Sequence, residues 1–419
     1  MMARNIADAH APSKPPIIIF GAFDRHNFGD MLFAHVVARL LAERSAEIEP
    51  VFAGCAQRDL RAYGGHHIGA LAQLAARWRD APVTLIHAGG ELLTCDPWEA
   101  AVMLNSPEDA QVHIARYGSS VDEQRAWARS MLGTDVLAPY VIGGETFPHA
   151  ASICFNAIGG ASLESRDPAM REEVLTKLRA SRILTVRDAQ TQAALRAAGI
   201  DAPLVPDPAS MVAALFDERI QARANQGAVA DMRRAFPRGY LAVQFSADFG
   251  DDATLAHIAR QLDLLGEASG LGIVLFRAGA APWHDDIAVY ERVARRMCHA
   301  DVKRFDSLNM WDICALIARS EGFAGSSLHG RIVAMAYGLP RVNILHPDEA
   351  AQSGKQHAYA STWEDAHAPK VVPVDQLSAA MREALSADRE ALAHLAGQLA
   401  QAHGAGFEPI VELAAIHTR

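Results

Sequence analysis

Two doubly wound, Rossmann-like α/β domains facing a cleft are the fold class this 419-residue chain predicts. Three observations predict it. Short apolar runs alternate with helical patterns through the first half, which implies mainly parallel sheets covered on both faces. Near 217–234 the pattern gives way to polar residues with Gln, Asn and Arg. A second strand–helix series then begins at Tyr240. The expected organisation is a disordered tail over 1–14, an N-terminal domain over 15–216, a linker over 217–235 and a C-terminal domain over 236–419.

The first strand is Ile17-Ile18-Ile19-Phe20, four apolar residues with no polar face. Segments 49–53, 82–87, 152–156 and 182–186 repeat that pattern and are read as strands. Between them, apolar residues recur at helical spacing over 31–43, 69–79, 169–180 and 189–198. The second series reads as strand 240–245, helix 253–265, strand 272–276 and a helix near 285–297. The run Gly322-Phe323-Ala324 then ends a buried strand. Helix 328–337 follows, stopped by Gly338-Leu339-Pro340, and strand 341–345 after it. Helices near 374–403 and 408–416 close the chain. Ligands in such sheets bind beyond the carboxyl ends of strands, so a cleft site draws on loops from both halves.

Half of the residues are hydrophobic and 21% are charged, as in ordinary soluble domains. A net charge of −10 without a long basic run argues against a nucleic-acid partner. Five scattered cysteines form no CxxC pair and suggest free buried thiols in a reducing compartment. No stretch approaches the roughly 18 apolar residues of a membrane span, and the start of the chain lacks an apolar signal core. A cytoplasmic protein is expected.

The segment Gly325-Ser326-Ser327-Leu328-His329-Gly330-Arg331 carries the strongest functional signal. Free amides at a helix start attract anions, and Ser326 and Ser327 add hydroxyl donors. His329 in the first turn supplies a titratable group beside a bound anion, and Arg331 a fixed charge. A Ser-Ser helix cap with a structural histidine is the alternative. Strand one runs into a second candidate, Asn27-Phe28-Gly29-Asp30. Gly29 permits close ligand approach, and Asn27 and Asp30 offer groups for sugar hydroxyls, unless Asp30 simply caps the helix. Arg187-Asp188 stands at another strand end, as an anion site or as a cap with an ion pair. Val205-Pro206-Asp207-Pro208 reads as a capped helix start. Gly89-Gly90-Glu91 places a carboxylate after a strand. Arg277 after strand 272–276 and Lys355 in a loop are placed to reach the cleft, or else are surface cations. No His/Cys/Asp cluster has metal-ligand spacing, His66-His67 included.

Taken in order, these segments resemble the polysaccharide pyruvyl transferase family. The resemblance runs from Asn27-Phe28-Gly29-Asp30 through Thr185-Val186-Arg187-Asp188, Gly199-Ile200 and Asp207-Pro208. It ends on Ser327-Leu328-His329-Gly330-Arg331 with Gly338-Leu339-Pro340. It implies a two-domain fold like that of GT-B glycosyltransferases. It also implies transfer of a pyruvyl group from phosphoenolpyruvate to a sugar, with no cofactor. His329 then matches the catalytic histidine, phosphoenolpyruvate lies mainly against the C-terminal domain, and the acceptor glycan faces the N-terminal one. A lipid-linked acceptor would bring the enzyme to the inner-membrane surface. Two positions depart from the family pattern. Ser327 and Gln244 stand where many members carry the arginines that bind the donor's phosphate and carboxylate. Serine and glutamine do not replace a bidentate arginine clamp at equal strength; Arg331 and Arg277 are the candidate substitutes. The rivals are a nucleotide-sugar glycosyltransferase of the same architecture and a non-catalytic glycan-assembly protein.

Overall fold

The computed structural model describes residues 16–417 apart from 46–47, 151, 299, 349–353, 366–367 and 369. The tail expected over 1–14 lies outside the described residues. Seven strands form the N-terminal sheet: β1 (Ile17–Phe20), β2 (Val51–Gly54), β3 (Arg58–Asp59), β4 (His67–Ala70), β5 (Thr84–His87), β6 (Ser152–Ile158) and β7 (Ile183–Val186). Their order is β3-β4-β2-β1-β5-β6-β7, parallel throughout except for β3 against β4. The second sheet comprises β8 (Tyr240–Gln244), β9 (Gly272–Phe276), β10 (Val302–Phe305), β11 (Gly322–Gly325), β12 (Arg341–Leu345) and β13 (Val371–Pro373). Its order is β10-β9-β8-β11-β12-β13, all parallel. Every residue of β1 is buried, as are those of β8, β9, β11 and β12, which is why β1, β9 and β11 read as continuous apolar runs.

This topology fixes where a ligand can sit. In each sheet the chain's course reverses at a central strand, leaving a crevice beyond the strand ends. The reversal falls between β2 and β5 on either side of β1, and between β8 and β11. The loop after β1 carries Asn27, and the loop after β11 carries Ser326 and Ser327. Both sequence signals therefore emerge at switch points.

The segment expected to link the domains, 217–235, lies within helices Val212–Ala224 and Gly227–Ala235. Across the cleft floor the two halves are joined directly. Phe28 N–H donates to the Ala278 carbonyl (2.9 Å), and Ala280 N–H to the His26 carbonyl (3.1 Å). His26 accepts from Ala280 N–H at Nδ1, so its Nε2–H donates to the Leu308 carbonyl (2.8 Å). One apolar cluster runs through both domains, packing Phe28, Met31 and Phe33 with Trp311, Leu328 and Ile332. An extensive apolar junction of this kind removes the ordinary ground for expecting a loose hinge.

In place of the closing helices expected near 374–403 and 408–416, the chain forms Leu377–Leu385 and Arg389–His417; the break falls at 386–388, and the second helix runs uninterrupted through 404–407 and Pro409. The longer helix crosses back to the N-terminal domain. A methyl group at Gly406 would lie 2.4 Å from the Val205 side chain, so glycine is what lets this helix approach. His403 anchors it: Nδ1–H donates to the Pro206 carbonyl at 2.7 Å. Burial pushes this imidazole down to about 4, partly offset by that carbonyl. Between the ordinary 6.5 and about 4, the unfolded chain binds a proton that the folded chain refuses. Acidification through that window therefore destabilises, by up to about 1.4 kcal/mol per pH unit. We expect the melting temperature to fall less steeply from about pH 7 to about pH 5 in His403→Phe than in the parent; parallel curves would show that His403 does not titrate this way. No described helix is long and apolar enough to cross a membrane.

Candidate active site

The cleft consists of two adjoining cavities, about 360 Å³ on the C-terminal side and about 380 Å³ on the N-terminal side. Asn27, His284, His329 and Lys355 line both. The C-side lobe adds Gln244, Ser326 and Ser327, and the N-side lobe adds Arg25, Asp30, Glu91 and Arg187.

His329 occupies the first turn of helix Leu328–Ala336, capped by Ser327 Oγ accepting from Gly330 N–H (3.1 Å). Its ring meets Phe33 edge-on at 5.1 Å and rests on the backbone at Gly29. A Cβ at Gly29 would lie 2.0 Å from the ring, so this glycine makes room for His329 rather than for a ligand. Nε2 is buried without a hydrogen-bond partner and stands 3.9 Å from Asp207 Oδ2. Burial, then the positive charges of Arg187 and Lys355, push the imidazole well below its ordinary value. It is neutral near pH 7 and available as a base. Asp30 is displaced the other way: burial raises its carboxyl, against the lowering pull of Arg25, Lys355 and Arg187. In both groups burial disfavours the charged form, so one cleft holds a neutral imidazole that can accept a proton and a carboxyl shifted toward its protonated form.

The helix after β1 is capped by Asn27, not by Asp30. Asn27 Oδ1 accepts from Gly29 N–H (3.1 Å) and Asp30 N–H (3.4 Å), which leaves the Asp30 carboxyl to the cleft. Asn27 Nδ2 also donates across the cleft to His284 Nε2 (3.1 Å). His284 Nδ1–H donates to the Pro282 carbonyl, which fixes the tautomer. Burial lowers this ring to about 4, so His284 is a neutral spacer. No local pattern around His284 marks it in the sequence; the fold alone brings it here.

Arg187 is buried between two carboxylates, Glu91 Oε2 (2.6 Å) and Asp207 Oδ2 (2.9 Å), and its Nε has no partner. Asp207 also caps Ala209 N–H, so the structural reading of Val205-Pro206-Asp207 holds. Yet the same carboxylate faces His329. Asp188 accepts from Thr191 N–H at 2.7 Å and is a helix cap. Gln244 is spent internally: Oε1 accepts from Ser327 N–H (2.8 Å), while Nε2 donates to Asp285 (2.7 Å). Burial raises the Asp285 carboxyl to about 7. Ser326 Oγ accepts from Ser246 N–H (3.0 Å). Gly330 packs against Phe323, where a Cβ would lie 2.4 Å from the ring.

Two expected cations are elsewhere. Arg331 is fully buried behind the site, with Nε on Glu364 Oε1 (2.6 Å) and Nη1 on the Lys370 carbonyl (2.8 Å). Arg277 is half-buried, its Nε is enclosed without a partner, and it lines neither lobe. Lys355, in helix Gly354–Trp363 rather than a loop, is exposed to the cleft. The expected buried thiols are Cys95, Cys154 and Cys314; Cys55 is half-buried and Cys298 exposed.

The fold is shared with solved structures of UDP-GlcNAc 2-epimerases. That from Neisseria meningitidis, bound to UDP-GlcNAc, is 12% identical with a TM-score of 0.51, covering 96% of this chain and 99% of its own. The Rickettsia bellii enzyme is 10% identical with a TM-score of 0.53, covering 95% and 97%. At such identities the likeness is one of fold, the two-domain GT-B-like arrangement. No curated protein sequence matches this chain. Residues 140–348 match the polysaccharide pyruvyl transferase family. That segment begins after the loop with Asn27 and Asp30 and takes in Arg187, Asp207, Gln244 and the helix of His329. By that match this chain belongs to the polysaccharide pyruvyl transferase family.

Proposed function

We propose that the cleft transfers the pyruvyl group of phosphoenolpyruvate to two hydroxyls of one sugar, forming a ketal on a cell-surface glycan or its lipid-linked precursor. The observation that carries this reading is His329, buried, neutral and without a hydrogen-bond partner at Nε2, at a helix start in the cleft. Gly330 N–H is held by the Ser327 cap, but the Leu328 and His329 amides of the first turn have no intrahelical acceptor and, with the Lys355 ammonium, would receive the donor's phosphate. The Asp30 carboxyl would deliver a proton to the enol methylene, creating an oxocarbenium-like centre at the adjacent carbon. A sugar hydroxyl attacks that carbon and gives its proton to His329. The C–O bond to phosphate breaks, and a second hydroxyl closes the ketal. Of the two hydroxyl protons, one replaces the proton spent on the new methyl group and the other leaves with phosphate. This is acid–base chemistry that calls for no cofactor. Asn27 would orient the acceptor. The enzyme would work in the cytoplasm, at the inner-membrane surface when its acceptor is lipid-linked.

A nucleotide-sugar transferase is the second reading. It is favoured by one observation: Gln244 and Ser327 are uncharged and bonded to each other, and Arg331 and Arg277 do not substitute. Among the described residues, Lys355 is then the lone lysine or arginine lining the C-side lobe. Calorimetric titration with phosphoenolpyruvate and with UDP-GlcNAc separates the two. Saturable phosphoenolpyruvate binding, with phosphate release that depends on a saccharide, is expected. Binding of the nucleotide sugar without any response to phosphoenolpyruvate would overturn the proposal.

A further inference from the structure

Trp283 lies between Pro282 and His284, in a turn closed by His284 N–H donating to the Ala281 carbonyl (3.1 Å). Its backbone φ is 62°, a left-handed conformation at the turn position that ordinarily selects glycine or asparagine. A bulky residue held there is strained, and such strain persists where function retains it. The indole is 40% exposed and lines the C-side lobe beside His284. Across the cleft mouth it meets Trp98 of the N-terminal domain, the ring centroids 6.4 Å apart. Trp98 in turn packs edge-on against Trp127 at 5.1 Å. Met103, at the far end of Trp98's helix Pro97–Met103, lines both lobes. Three indoles from both domains thus form an aromatic shelf continuous with the cleft.

We infer that this shelf is a saccharide subsite, where Trp283 and Trp98 take the apolar face of a pyranose ring of the acceptor one or more sugars away from the reacting hydroxyls. The inference rests on the glycan-acceptor reading. Its physical basis is that a pyranose presents C–H groups on one face and hydroxyls around its edge. A flat, half-wet indole with polar neighbours matches that distribution. Asp248 and Gln356, which line the same lobe, supply hydrogen-bond partners for the ring's edge. An aliphatic or lipid partner would leave those polar groups unpaired.

The test is saturation-transfer NMR and tryptophan fluorescence with lactose, chitobiose and mannobiose, without donor and without reading transfer, on the parent and on Trp283→Gly. Glycine relieves the left-handed strain, so the variant is expected to melt no lower than the parent. A merely structural tryptophan would not combine that with lost binding. We expect saturable binding of at least one disaccharide by the parent and at least a tenfold rise in its dissociation constant in the variant, with Trp98→Ala reproducing the loss. Unchanged affinity in Trp283→Gly overturns the inference, as does failure of all three disaccharides to bind the parent. So does binding of phosphatidylglycerol vesicles through Trp283 in place of any saccharide. Because no donor is present, these outcomes do not depend on whether phosphoenolpyruvate is the second substrate.

Discussion

His329→Ala is expected to lower turnover by about 10²–10⁴-fold while the protein stays folded, the usual contribution of a positioned acid–base group. Folding should survive because His329 is neutral and makes no hydrogen bond at Nε2, so the variant orphans no partner. What it loses is packing against Phe33 and the Gly29 backbone. The pH profile gives a second readout. Since burial, Arg187 and Lys355 hold the imidazole well below 6.5, the free enzyme keeps its base form as pH falls through 6.5. The acid limb of kcat/KM therefore lies below that point in the parent. Gly29→Ala should reach the same end by displacement, because the added methyl group occupies the ring's place. Full activity in purified His329→Ala would remove His329 from the mechanism.

Central strands were legible because both their faces are covered: β1, β9 and β11 coincide with apolar runs in the sequence. Strands β3, β4, β10 and β13 are not foreseen from the sequence. They lie at the sheet margins, with exposed or half-buried residues and no apolar run to announce them. The helices Pro97–Met103, Pro107–Tyr117 and Val121–Leu132 did leave signals, an Asp or Ser cap before each and proline at the start of two. The terminal helix reads as two because glycines and Pro409 interrupt its pattern, yet docking on Val205 and Pro206 holds it as one.

Within the site, loop–helix junctions at switch points are visible in the sequence, which is why Asn27, Asp30, His329 and Lys355 do meet. Which side chains on those junctions face the cleft is harder to read. Residues two apart on a helix point to different sides. His329 faces the cleft, so Arg331 faces away, into a buried pairing whose partner, Glu364, lies 33 residues further on. The facing of Asp207 toward His329 and the bridge from Asn27 to His284 join distant segments, and no local spacing encodes them.

Arg331→Met is expected to destabilise the fold by about 3 kcal/mol or more, as loss of one partner of a buried ion pair does. Glu364 is the reason. Its carboxylate is nearly sealed from solvent and holds Arg331 through Oε1 (2.6 Å) and Arg341 through Oε2 (2.8 Å). Burial alone would raise this carboxyl, but the two guanidinium groups outweigh it and keep it below its ordinary value. Removing Arg331 takes the charged donor from buried Glu364 Oε1, leaving Arg341 as that carboxylate's ion-pair partner, and strips a donor from the Lys370 carbonyl as well. Such a loss is a large share of the roughly 5–15 kcal/mol that stabilises a typical domain. Adding Glu364→Gln should cost more still, since Arg341 would then be a buried cation without the carboxylate that now holds it at 2.8 Å. Urea midpoints of the parent, both single variants and the double variant measure that coupling. If Arg331 instead held the donor's phosphate, Arg331→Met would unfold at the parent's urea concentration and fail only to bind phosphoenolpyruvate. Because the guanidinium is wholly enclosed on the far side of its helix from His329, we expect the reverse: an early urea midpoint, with donor affinity kept in whatever fraction remains folded.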